Sequence, residues 1–110
     1  MPTTYKVLGQ SNPSATTEAI LYTVPSATQS VVSSIAICNQ AGTSATFRIA
    51  VRPSADSTTV AKHYLVYGTT VAANDTIVLT MGVTLAASDK ILVYASTANI
   101  SFAAYGSELV

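Results

Sequence analysis

Nucleophiles, bases and metal ligands are scarce in this chain, and none falls in a catalytic spacing. His63 is the only histidine and Cys38 the only cysteine. A histidine-based metal site needs carboxylates or thiols at ligand spacing, and Lys62-His63-Tyr64 has none clustered with it; the tripeptide reads as the start of a strand. Cys38 lies in Ile35-Ala36-Ile37-Cys38-Asn39, where a free thiol usually serves as a small buried hydrophobe. The carboxylates Glu18, Asp56, Asp75, Asp89 and Glu108 are scattered, so no pair reads as general acid and base. No Gly-x-Ser-x-Gly elbow occurs, and Gly9, Gly42, Gly68, Gly82 and Gly106 never bunch into a phosphate-binding loop. The expectation is therefore no catalytic residue, no metal, no cofactor and no enzymatic activity.

Contact chemistry is better represented. Arg48 and Arg52 stand four apart in an alternating run, hence on one face of a strand, and guanidinium groups grip carboxylates bidentately. The six tyrosines (Tyr5, Tyr22, Tyr64, Tyr67, Tyr94 and Tyr105) are dispersed along the sequence. Dispersal argues against a sugar-stacking platform and suits rings buried at a sheet edge or subunit seam with the hydroxyl left wet. Arg48, Arg52, Tyr5 and Tyr22 are the candidate interface contacts.

The elements that must position these residues are strands. Short runs rich in Val, Ile, Tyr and Thr are separated by Ser, Asn, Asp, Gly and Pro clusters, and no window supports a helix. The runs cover 4–10, 19–24, 30–39, 45–52, 63–71, 76–81, 91–95 and 100–105. The first two look like edge or arm strands, the second being closed by Pro25. The third, with Ile35 and Ile37 on one face and small residues on the other, reads as a central strand covered on both sides. In the fourth, Phe47, Ile49 and Val51 alternate with Arg48, Ala50 and Arg52, giving one core face and one wet face. Residues 53–59 form the longest loop, and Gly68 marks a bulge or bend. One connection is built twice: Val71-Ala72-Ala73-Asn74-Asp75 leads into Thr76-Ile77-Val78-Leu79 as Leu85-Ala86-Ala87-Ser88-Asp89 leads into Lys90-Ile91-Leu92-Val93. Asn, Ser and Asp side chains bond nearby backbone and stabilise such turns. Eight short strands without helices predict an all-β fold: one antiparallel two-sheet β-sandwich over residues 1–110, jelly-roll-like, with residues 1–13 as an N-terminal arm or edge strand. A small closed barrel is the alternative within the class.

Composition points toward association. Charged residues make up 9% of the 110, against roughly a quarter in ordinary globular chains. Ser and Thr, 29 residues together, stand in their place, and mean hydropathy is +0.43. Zero net charge favours association over lone solubility, so much of the surface is expected to be covered by further copies of the chain or by a larger assembly. Five basic against five acidic residues supply no field for a nucleic-acid backbone. The opening residues lack the order of a secretory signal, and no apolar run approaches a membrane span; a cytosolic start, with no nucleic acid and no membrane as partner, is the expectation.

The ordered fragments Lys6-Val7-Leu8-Gly9-Gln10-Ser11, Leu21-Tyr22-Thr23-Val24-Pro25, Val32 to Asn39, Phe47 to Pro53, Lys62-His63-Tyr64-Leu65, Leu85-Ala86-Ala87, Val93 to Ser96, Ile100-Ser101-Phe102 and Tyr105 to Glu108 carry a resemblance over nearly the whole chain. The sequence resembles small virion structural proteins of tailed bacteriophages, those of marine and cyanobacterial phages in particular. The resemblance implies a β-sandwich subunit that assembles, often as a trimer, on a virion put together in the host cytoplasm. Its partners would be its own copies and the major capsid protein or other virion proteins. The first expectation is a capsid decoration or cement protein; the alternative is a tail or head-fibre component with a receptor- or glycan-binding role. The resemblance carries over no catalytic residue.

Overall fold

In the computed structural model, which describes residues 2–110 and leaves Met1 outside the described residues, the alternating runs form eight strands. They are β1 (Thr3–Ser11), β2 (Ala19–Thr23), β3 (Gln29–Asn39), β4 (Ala45–Arg52), β5 (Tyr64–Val71), β6 (Thr76–Leu85), β7 (Lys90–Ala95) and β8 (Ile100–Leu109). Two four-stranded antiparallel sheets result, ordered β1-β8-β3-β6 and β2-β7-β4-β5. Each strand of the first half therefore lies against its mirror in the second half: β1 on β8, β2 on β7, β3 on β6 and β4 on β5. This is one long hairpin rolled into two layers, the jelly-roll arrangement, so the chain is a sandwich and not a closed barrel.

Alternation holds the layers together. Val32, Ile35 and Ile37 of β3, with Phe102 and Ala104 of β8, face Phe47 and Ile49 of β4 and Ile91 and Val93 of β7, and all are buried. Phe47 and Phe102 meet edge to face across the layers, with ring centroids 6.1 Å apart at 65°. Burying each such side chain contributes about 1.5–3 kcal/mol. This core offsets the ordering of a chain with few ionic contacts.

The repeated corner is built twice in space as well. Asp75 N–H donates to the Ala72 carbonyl (3.3 Å) and Asp89 N–H to the Ala86 carbonyl (3.1 Å). Asn74 and Ser88 occupy the left-handed region at φ +55° and +69°. Each corner is also tied to the connection that mirrors it in the roll. Asn39 N–H donates to the Asp75 carbonyl and Asn74 N–H to Ala41, while Val24 N–H donates to Asp89 and Ser88 N–H to Val24, all at 2.9–3.0 Å.

Four details differ from the sequence reading. β6 and β8 run on through Gly82 and Gly106, which look like strand ends in the sequence. β3 is central, but only its inner face is fully buried; Val31, Ser34, Ala36 and Cys38 on the other face are half-exposed, because no other described segment covers that sheet. Register slips beside Leu65 and at Gly68, whose φ is +76°, place Tyr64 and Tyr67 on the same face of β5 instead of opposite faces. One 3-10 turn, Ala61–His63, precedes β5. Of the two readings of the N-terminal segment, arm or edge strand, the structure has the edge strand, held along β8 from Thr3 to Ser11.

Gly106 shows how close the central strands lie. A Cβ added there would stand 2.0 Å from the Val31 carbonyl oxygen, a backbone atom with no rotamer to yield, whereas one at Gly42 would meet nothing. Gly106→Ala is expected to cost about 1–3 kcal/mol, as overpacking does, and Gly42→Ala close to none. Calorimetric melting of the two variants checks the contrast.

Candidate functional site

His63 is buried, and both of its ring nitrogens are committed. Nδ1 accepts a hydrogen bond from Val60 N–H at 2.9 Å, and Nε2 lies 2.9 Å from an Asp56 carboxylate oxygen. Nε2 therefore carries the proton in the neutral ring, and neither nitrogen is free to take one from a substrate. The hydrogen bond from His63 holds the Asp56 carboxyl below its ordinary range. This pair, unseen in the sequence because Asp56 lies seven residues away in the loop, pins the 53–63 segment across the outside of the β2-β7-β4-β5 sheet. That sheet's outward residues Ala50 and Leu92 are buried accordingly.

Arg52 works in the same place. Its Nη1 donates to the Thr59 hydroxyl (3.0 Å) and stands 3.9 Å from Glu18, to which Thr59 donates in turn (3.2 Å). Its side chain is only 14% exposed. As an interface contact it is corrected: the side chain is largely covered and ties the loop to the sheet.

Tyr22 is corrected too. A bulge in β2 turns its ring inward, and the residue is buried. Its hydroxyl donates to Glu108 at 2.5 Å and lies 2.6 Å from the Ser30 hydroxyl; Glu108, itself buried, also pairs with Lys6 at 3.0 Å. The network joins β1, β2, β3 and β8 between the layers, with polar partners for each member. Burial first, and then the bond to Glu108, push the Tyr22 phenol up to about 12. The bonds from Tyr22 and Lys6 hold the Glu108 carboxyl below its ordinary range.

Among the described residues, no group of three or more His, Cys, Asp or Glu side chains is placed to hold a metal ion. What remains is surface, and the two outer faces differ. On the β1-β8-β3-β6 sheet the outward positions of β1 are Thr3, Tyr5, Val7 and Gln10, and those of β8 are Ser101, Ala103, Tyr105, Ser107 and Leu109. β3 adds Gln29, Val31, Ser34, Ala36 and Cys38, and β6 adds Thr76, Val78, Thr80, Gly82 and Thr84. No Asp, Glu, Lys, Arg or His is among them. Tyr5 is 84% exposed, and Val7, Val78 and Tyr105 are exposed on the same face. Cys38 is half-exposed here, where Gln10, Asn12, Ala36, Ser101 and Tyr105 line a shallow groove, and is not the buried hydrophobe its sequence suggests.

The opposite face carries cations. Arg48, Arg52 and Lys90 point outward from β4 and β7, with Arg52 and Lys90 paired across the strands. Three tyrosines scattered in sequence converge there: Tyr94 and Tyr67 are the cross-strand neighbours of Arg48 on either side, and Tyr64 meets Tyr67 edge-on at 4.9 Å. Dispersal along the chain is therefore not dispersal in space. A scan of protein-family models finds no family that matches the chain, and a search of curated proteins finds no match.

The inner network makes the fold pH-dependent at both ends. Glu108, with its carboxyl depressed in the folded state, contributes stability above the unfolded carboxylate range and loses it as pH falls through the folded value. Tyr22, with its phenol raised, contributes below the free phenol's value and loses it as pH rises through about 12. Glu108→Gln is expected to lower stability at neutral pH by about 1–3 kcal/mol and to flatten the acid limb. Tyr22→Phe is expected to flatten the alkaline limb. Denaturant midpoints across pH check both.

Proposed function

We propose that this chain is an assembling structural subunit of a bacteriophage virion, most simply a decoration protein bound in many copies to the capsid. The observation that carries the reading is the outer face of the β1-β8-β3-β6 sheet, where four strands together present no ionic side chain. Interfaces are depleted of charge at their centres and enriched in tyrosine, and Tyr5 and Tyr105 stand on this face among Ser, Thr, Ala and Val. Its far edge is also unguarded. β6 runs ten residues, Thr76–Leu85, without a charge or a proline, the residues with which solitary sheets commonly deter edge pairing. Only a bulge opposite Ser33 interrupts it.

Size decides how such a face would act. Four strands about 4.8 Å apart and about 33 Å long offer roughly 600 Å², less than the roughly 800 Å² per partner of a standard interface. One contact of this kind is weak alone. Closed symmetry, such as a trimer, and simultaneous seating on a shell multiply weak contacts through high effective concentration. The resemblance to phage virion proteins supplies the address. A tail or head-fibre position is the second reading, favoured by the tyrosines gathered around Arg48, and copy number in a cryo-EM map of the particle separates the two.

The protein is expected to scatter light as an oligomer at micromolar concentration. Val78→Lys, at an exposed position that leaves the core untouched, should shift it to monomer without lowering the melting temperature, and Cys38 should then react faster with a maleimide. A wild-type monomer would remove the basis of the reading.

A further inference from the structure

The sheet opposite the uncharged one carries a feature that assembly through that face leaves unused. Across β7, β4 and β5, Tyr94, Arg48 and Tyr67 stand in one register row. The guanidinium carbon of Arg48 lies 4.1 Å from the Tyr94 ring centroid and 4.3 Å from that of Tyr67. Two cation–π contacts fix a long, flexible side chain in one place. Both rings meet the guanidinium at its centre of charge. No hydrogen bond or ion pair to Arg48 is found among the described residues, in contrast to Arg52 and Lys6, each held by a carboxylate.

The surroundings favour an anion. Lys90 shares this face and Lys62 lies in the turn bordering it, while Arg52 and Glu18 balance each other and Asp56 is engaged by His63. Beside Arg48, Tyr67 is 64% exposed. An open groove of about 410 Å³ runs between Tyr64 and Tyr67 on one side and Thr59, Val60 and Ala61 on the other.

We propose that this row and its groove bind an acidic sugar, with Arg48 as the anchor for its carboxylate and Tyr67 as the platform for its ring. The clamped guanidinium edge offers parallel N–H donors to the two oxygens of one carboxylate. A uronic-type pyranose holds that carboxylate rigidly beside a flat face of C–H bonds, and the electron-rich face of an exposed tyrosine suits such bonds. A glutamate or aspartate side chain of a protein partner brings the same carboxylate on a flexible stem with no flat face for Tyr67. The site lies on the other side of the sandwich from the uncharged sheet, so sugar binding and self-association do not compete.

The test is calorimetric titration of the full chain with trigalacturonate, alongside maltotriose as the neutral sugar and triglutamate as the peptide source of carboxylates. Saturable binding of trigalacturonate, with maltotriose and triglutamate at least tenfold weaker, is the expected result. Arg48→Lys, which keeps the charge and loses the fork, should weaken binding about tenfold or more, as loss of a charged hydrogen bond does. Tyr67→Ser, at an exposed position, should also weaken it, with both variants melting as wild type. Should Arg48→Lys fail to fold, Tyr67→Ser carries the test. Repeating the titration on Val78→Lys separates this site from the assembly reading, since the monomer should bind as well as wild type. No binding of trigalacturonate at millimolar concentration, equal binding of triglutamate, or indifference to both substitutions would overturn the proposal.

Discussion

The edge-to-face contact of Phe47 with Phe102, and the apolar rows around it, set the terms for everything else in this molecule. Two sheets pressed together must turn one side of every strand inward, and a side-chain period of two assigns each remaining residue to the outside. The chain has ten formal charges to distribute. One pair joins exposed Lys6 to buried Glu108, whose carboxylate also accepts from the Tyr22 hydroxyl, itself bonded to Ser30. The others fall on one sheet, its covering segment and the corners. The opposite face is left neutral, which is a consequence of alternation as much as of composition.

That asymmetry separates two kinds of work. On the cationic side the ionic groups serve precision: His63 and Asp56 pin the covering segment, Arg52 and Glu18 brace it, and two tyrosine rings hold Arg48 still. On the neutral side no group demands a particular partner geometry. Apolar and hydroxyl-bearing side chains can be buried by a neighbour without stranding a charge, which suits contacts repeated many times over.

Much of the fold was legible in the sequence because it rests on local patterns. The alternation Phe47, Ile49, Val51 against Arg48, Ala50, Arg52 placed β4, and the doubled Ala-Ala-Asn/Ser-Asp corner placed two turns. Bulges were not legible, since one extra residue is invisible in a run of apolar residues and yet reverses the face of all that follow. The sequence therefore places Tyr22 at the surface, where the structure has it in the core, and sets Tyr64 and Tyr67 on opposite faces, where they stand together. Partnerships between the two halves of the roll were hidden as well. Tyr22 and Glu108 are 86 residues apart, and only the strand order brings them within a hydrogen bond. The Pro-Ser-Ala-Asp run at 53–56, whose Asp56 N–H closes a turn on the Pro53 carbonyl at 3.0 Å, was an available sign that the long loop is ordered.

The mirrored pairing of the strands has a temporal side. β8 lies between β1 and β3 and is hydrogen-bonded to both, with Thr3 facing Leu109. During translation β1 waits for a neighbour that follows the six strands between them, and the space between β1 and β3 stays open until then. All-β chains with such distant pairings fold slowly and expose sticky intermediates on the way. A nascent chain holds an unfinished layer until β8 is made, and the pairing of β8 with β1 and β3 is the event that closes it.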